Sequence, residues 1–120
     1  MKASSDTAPA NLLLQNKIVV MTGNPYGIGR ASAALFAAAG AQVICIDDSR
    51  RGWSSPEAPG DELPQFIADV SDPEAVAAVV AACAKKLERV DVLFNLAGRA
   101  VKQSFENTTE ATWKEMIGRN

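Results

Sequence analysis

The stretch Thr22-Gly23-Asn24-Pro25-Tyr26-Gly27-Ile28-Gly29 joins two segments of opposite character, and it constrains the fold more than any other part of the chain. Ahead of it, residues 17–22 (KIVVMT) form a short apolar run rich in β-branched side chains. A run of that kind suits a strand buried on both faces, as parallel sheets require. Behind it, residues 30–39 (RASAALFAAA) are helix formers, stopped by Gly40. Three glycines at spacings of four and two therefore sit at a strand-to-helix turn. Such a turn reverses sharply, lets backbone approach a pyrophosphate with no Cβ in the way, and aims the helix N–H groups and positive dipole end at the phosphates. The spacing is neither the GxGxxG of the common dinucleotide fold nor the GxxxxGK[ST] of the P-loop.

The rest of the chain repeats the alternation. Gln42–Asp47 (QVICID) is a second apolar strand ending in acids, and residues 48–64, rich in Pro, Gly, Ser and charge, read as a surface excursion. Residues 65–70 (QFIADV) predict a third strand. Ser71 with Glu74 forms a capping box, and Pro73 lies in the first turn of a helix running to Glu88, with Lys85 and Lys86 near its negative end. Residues 90–96 (VDVLFNL) predict a fourth strand, and Asn107 or Thr108 is expected to cap a last amphipathic helix through Trp113, Met116 and Ile117. Strands alternating with helices through right-handed crossovers predict an α/β fold, a doubly wound parallel sheet. Residues 1–16 read as a flexible tail and 17–120 as one domain.

Composition removes whole classes of function. With 12 basic and 14 acidic residues, a net charge of −2 offers no footprint for nucleic acid or an anionic membrane surface. The chain contains no histidine, which excludes Ser-His-Asp and Cys-His catalysis and His-ligated zinc. Cys45 and Cys83 lie in apolar stretches without CxxC spacing, so buried thiols in a reducing compartment are expected rather than a disulfide or metal site. The apolar runs 33–39 and 76–84 are too short to span a bilayer, and residues 1–15 lack signal-peptide features. The chain reads as cytoplasmic.

The glycine turn resembles that of the short-chain dehydrogenase/reductase family, and three further motifs in the same order extend the resemblance from about Lys17 to the end. Asp69-Val70 is similar to the family's Asp-Val beside the adenine ring. Asn95-Leu96-Ala97-Gly98 is similar to its Asn-x-Ala-Gly next to the adenosine ribose, with Leu96 where a second Asn is more usual. Trp113 and Asn120 have the seven-residue spacing of a family Trp and the Asn of its catalytic tetrad. Pro25 departs from the small residues usual in the turn and removes a backbone donor.

The resemblance implies a Rossmann-like sheet of strand order 3-2-1-4 and a nicotinamide cofactor held by Thr22, Gly23, Tyr26, Gly27, Ile28, Gly29, Asp47, Asp69, Val70, Asn95, Ala97 and Gly98. Asp47 lies 18 residues beyond Gly29, where this fold meets the adenosine ribose. A carboxylate there accepts from both ribose hydroxyls of NAD. Against the 2′-phosphate of NADP it would be repelled by roughly 4 kcal/mol per unit pair at about 4 Å and an effective dielectric near 20. NAD is the expected cofactor and NADP the lesser alternative, which Arg50 and Arg51 nearby would serve.

The family's chemistry uses a Tyr-x-x-x-Lys pair and a Ser, whereas the sole tyrosine here is Tyr26 in the glycine turn. Asn120 alone matches the tetrad, and in the family it supports a helix kink and an ordered water in the proton relay. The expectation is therefore an NAD-dependent oxidoreductase acting on an alcohol or ketone, present as its nucleotide-binding half. A fragment or truncated product of this kind would carry residues 92–94 on an uncovered sheet edge and be only marginally stable as a monomer. The alternatives are a catalytically inactive NAD-binding module and, more distantly, a nucleotide fold for S-adenosylmethionine. Family members are usually homo-oligomers.

Overall fold

The computed structural model describes residues 13–23, 26–48 and 65–120. Four parallel strands are hydrogen-bonded in the order β3-β2-β1-β4: β1 (Ile18–Thr22), β2 (Gln42–Asp47), β3 (Gln65–Ile67) and β4 (Val92–Asn95). Between them run α1 (Ile28–Ala38) and α2 (Pro73–Lys86), and α3 (Glu110–Arg119) follows β4 after a single 3-10 turn at Phe105–Asn107. The expected α/β fold and strand order are what the chain adopts.

The apolar run of β1 works because a pleated strand presents successive side chains to opposite faces. Ile18 and Val20 join Ile44, Ile46, Val79 and Cys83 in one core layer, which packs on α2. Met21 joins Ala33, Val43 and Cys45 in the other, which packs on α1. Phe36 of α1 meets Phe94 of β4 edge-to-face, with ring centroids 5.4 Å apart. Phe94 thus belongs to the core, while its neighbour Leu93 on the sheet edge is 59% exposed.

Several element ends differ from the sequence expectation for local reasons. Helix α1 starts at Ile28, because Gly27 serves as its N-cap and needs no further linker. Strand β3 stops at Ile67: Ala68 N still donates to Asp47 O, but Asp69 then turns the chain by accepting from Ser71 N at 2.9 Å and Ser71 Oγ at 2.6 Å. With Ser71 so engaged, Asp72 caps α2 by accepting from Glu74 N at 2.9 Å. Strand β4 covers only Val92–Asn95. Near α3, Asn107 Nδ2 donates to Ser104 Oγ and Thr108 Oγ1 to Ser104 O, so both residues are used in the 3-10 turn. Thr109 becomes the cap, its hydroxyl accepting from Thr112 N at 3.1 Å.

The amphipathic character of α3 is only partly used among the described residues: Met116 is half-buried, whereas Trp113 and Ile117 are exposed. Residues 1–12, the pair Asn24-Pro25 and the excursion 49–64, with Arg50 and Arg51, lie outside the described residues.

Candidate functional site

All four strands point their C-terminal ends the same way, and in register. Thr22 stands beside Ile46 on one side and Asn95 on the other, and Asp47 beside Ile67. Strand order reverses between β1 and β4, the position at which open α/β sheets leave a crevice for ligands. The two connections there are tightly joined. Thr22 Oγ1 accepts from Leu96 N and Ala97 N, each at 3.3 Å, and Thr22 O accepts from Leu96 N at 3.1 Å. Gly23 has φ +122°, and a Cβ on it would lie 2.7 Å from Ala97 N and 2.9 Å from Leu96 C. No side chain fits between the β1 turn and the β4 turn, so glycine is required by both conformation and space.

A cavity of about 430 Å³ opens at this edge. Gly23, Tyr26, Ala97 and Gly98 form its wall at the β1 and β4 turns; Ile46, Asp47 and Asp48 line it at the end of β2. Ala68, Asp69 and Val70 close the β3 side, and Arg99 and Arg119 stand at the rim. Beside it, α1 begins among the described residues with no side-chain cap and no acidic residue in its first turn, and Gly29 N donates to Tyr26 O at 3.2 Å. Gly27, at φ +53°, has nothing within 4 Å of its would-be Cβ among the described residues.

Of the residues singled out from sequence, Gly23, Tyr26, Asp47, Asp69, Val70, Ala97 and Gly98 meet in this one cavity. Thr22 holds the turn from behind, Gly29 is buried under the helix start, and Gly27, Ile28 and Asn95 stand outside the cavity wall. Asn120 is not in the wall either. Its Oδ1 accepts from Arg99 N at 3.2 Å, and its Nδ2 donates to Arg99 O at 2.9 Å and Met116 O at 2.8 Å. Asn120 therefore staples the end of α3 to the backbone just after Gly98.

The local electrostatics are dominated by carboxylates. The carboxyl of Asp69 is held below the usual range, first by the Ser71 hydroxyl and backbone N–H it accepts from, and to a lesser extent by the Arg119 guanidinium. Arg119 places Nη1 3.3 Å from Asp48 Oδ2, Nη2 3.7 Å from Asp69 Oδ2 and Nε 3.7 Å from Glu115 Oε1. Glu115 also pairs with Arg99 at 2.7 Å. Sequence reasoning missed Asp48, Arg99 and Arg119 as wall residues. The available signal was a pair of cations directly adjoining two motif residues, Gly98 and Asn120. Among the described residues no group of His, Cys, Asp and Glu could hold a metal ion, and no helix is long and apolar enough to cross a membrane.

A family model for the short chain dehydrogenases matches residues 17–120. The chain belongs to this family. It is 37% identical over 109 residues to the short chain dehydrogenase ausX of Penicillium brasilianum, covering 89% of this chain and 41% of that protein. It is 37% identical over 105 residues to meso-2,3-butanediol dehydrogenase of Serratia marcescens, covering 86% and 42% respectively. Among solved structures, the ligand-free aldohexose dehydrogenase of Thermoplasma acidophilum superposes with a TM-score of 0.73 at 30% identity, over 88% of this chain and 39% of that one. The chain spans about two fifths of the length of the curated relatives it matches.

Proposed function

We propose that this chain is the nucleotide-binding portion of an oxidoreductase, that its cofactor is NAD, and that the complete site moves a hydride between that cofactor and an alcohol or ketone carbon. The observation carrying this reading is a cavity whose one wall is Gly23, with no room for a Cβ, and whose other end carries Asp47 and Asp48. Relatives named as dehydrogenases, one of them for a small diol, support the reaction class. Bound nicotinamide would supply hydride exchange with the substrate carbon.

The residues of this chain would divide the work by position. The β1 turn, with Gly23 and Gly27, admits the pyrophosphate against the uncapped start of α1. Asp47 accepts from the adenosine ribose hydroxyls, and Ala68, Asp69 and Val70 border the adenine slot. Three carboxylates on that wall, Asp47, Asp48 and Asp69, oppose a 2′-phosphate and favour NAD over NADP. Asn120 acts as a positioning residue, fixing the backbone after Gly98 that forms the opposite wall. The two cysteines suit a reducing, cytoplasmic setting.

The test is a titration of the purified chain with NADH, read by quenching of Trp fluorescence, with NADPH as the control. Micromolar NADH binding with markedly weaker NADPH binding is expected. A folded chain that binds neither would overturn the reading. A chain that binds NADH yet, joined to its catalytic residues, reduces no ketone would favour the inactive NAD-binding module.

A further inference from the structure

Of the two guanidinium groups on the cavity rim that the proposed function leaves unused, that of Arg99 pairs with Glu115 at 2.7 Å, and that of Arg119 meets the strand-end carboxylates. Arg119 comes from the last turn of α3, the helix after β4, and reaches across the mouth of the cavity to the ends of the two strands on the far side. Its contacts are Asp48 just past β2, Asp69 just past β3, and Glu115 one turn back on its own helix. The side chain is 32% exposed, more enclosed than any of its three carboxylate partners. Asp48 directly follows Asp47, so the guanidinium stands at the ribose end of the cavity. There it is a planar fork of donors, the geometry best suited to a phosphate.

We infer that Arg119 is a specificity-determining residue of this cavity: a latent receptor for a 2′-phosphate that Asp48 keeps occupied. This rests on the dinucleotide reading above and extends it. Asp47 alone would repel a 2′-phosphate, but a guanidinium within reach would offset that repulsion. The site discriminates because the cation is already shared among Asp48, Asp69 and Glu115. With Asp47 these make four negative charges against the two of Arg119 and Arg99, which pairs with Glu115, so the rim stays net negative toward an incoming phosphate. When Asp48 loses its charge, the nearest of these bonds is weakened and the fork turns to the ligand.

The experiment is a double-mutant cycle on the full chain, Asp48→Asn, Arg119→Met and both together, with Kd for NADH and NADPH read by fluorescence. Far-UV circular dichroism and melting temperature establish that each variant is folded. Removing a carboxylate eases phosphate binding whatever Arg119 does, so the decisive quantity is the coupling between the two substitutions. Asp48→Asn is expected to shift the NADPH-to-NADH preference toward NADPH by about fivefold more with Arg119 present than with Met in its place, the scale of one partly exposed ion pair. Equal shifts in both backgrounds, or none, while wild-type chain binds NADH, would overturn this inference and leave the dinucleotide reading standing. Folded chains that bind neither cofactor in any background would overturn both.

Discussion

The two glycines of the β1 turn separate stability from binding, and they do so in opposite proportions. Alanine at Gly23 suffers twice. At φ +122° an L-residue is strained by about 1–3 kcal/mol. Its Cβ would also stand 2.7 Å from Ala97 N and 2.9 Å from Leu96 C, both backbone atoms of the connection that Thr22 Oγ1 pins in place. Neither neighbour is a flexible side-chain end, so relief requires moving the β1 and β4 turns apart, at a cost of about 1–3 kcal/mol for overpacking. Alanine at Gly27 suffers once. Its φ of +53° is again disfavoured, but nothing lies within 4 Å of the added Cβ.

Gly23→Ala should therefore lose about 1–3 kcal/mol more stability than Gly27→Ala. At roughly 4 °C per kcal/mol for a domain of this size, that difference is readable by thermal or urea denaturation. Binding should rank the other way relative to stability. Under the proposed function the open space beside Gly27 would receive the pyrophosphate at the start of α1, so Gly27→Ala should remain folded and lose NADH affinity by at least tenfold, about 1.4 kcal/mol. Equal destabilisation by the two substitutions would refute the account of Gly23. Wild-type NADH affinity in folded Gly27→Ala would refute the assignment of that turn to phosphate.

Three further outcomes are expected. Asp47→Ala should erode discrimination between NADH and NADPH in fluorescence titrations; unchanged discrimination would remove Asp47 from the ribose contact. Burial, with the Asp47 charge adding to it, pushes the Cys45 thiol up to about 12, and burial raises that of Cys83 as well. Both should resist iodoacetamide at pH 8 in the folded chain and react once urea is added, and rapid labelling of Cys45 without denaturant would contradict its burial between β2 and α1. Asp91 accepts from Ile18 N at 2.8 Å and from Arg89 Nε at 3.0 Å, and these hold its carboxyl below the usual range, the backbone bond first. A depressed folded value means the stabilisation is complete above the unfolded value of about 3.9 and is lost as pH falls from there through the folded one. Asp91→Asn should flatten that acid limb in urea titrations, and an unaltered limb would exclude the Ile18 contact as its source.

The fold was legible because its signals are local and physical. Residues 17–22 are apolar without alternation because both faces of β1 are covered, by α1 and by α2. The glycine spacing announced a strand-to-helix turn, and Asp47 marked the end of β2. Element ends were less legible, since they depend on which of several adjacent hydroxyls and carboxylates wins a given N–H. Ser71 and Asp72 both qualify as caps of α2 by residue type, and only the turn at Asp69, which recruits Ser71, decides for Asp72. Thr108 lost to Thr109 in the same way, through a 3-10 turn that no apolar period foretells.

The site divides along the same line. Glycine motifs and strand-end acids are read in place, because each does its work on its own strand or turn. The cation that pairs with two of these acids is not. Arg119 pairs with Asp48 across 71 residues of sequence; its place beside Asn120 puts it next to a motif, and nothing local says which carboxylate it meets. Its position follows only from the topology: β4 leaves the sheet on the far side of β1, α3 returns over the mouth, and the last helical turn arrives above the ends of β2 and β3. Asn120, read from spacing as part of a catalytic set, takes its meaning from the same geometry. By holding Arg99 and Met116 it ties this part of α3 to the backbone after Gly98, and so helps set where the preceding side chain, Arg119, stands. Under the proposed function, the charge met by the adenosine end of the cofactor would depend on Arg119, outside every motif, as well as on the β2 acid, and a preference read from that acid alone would omit the cation paired beside it.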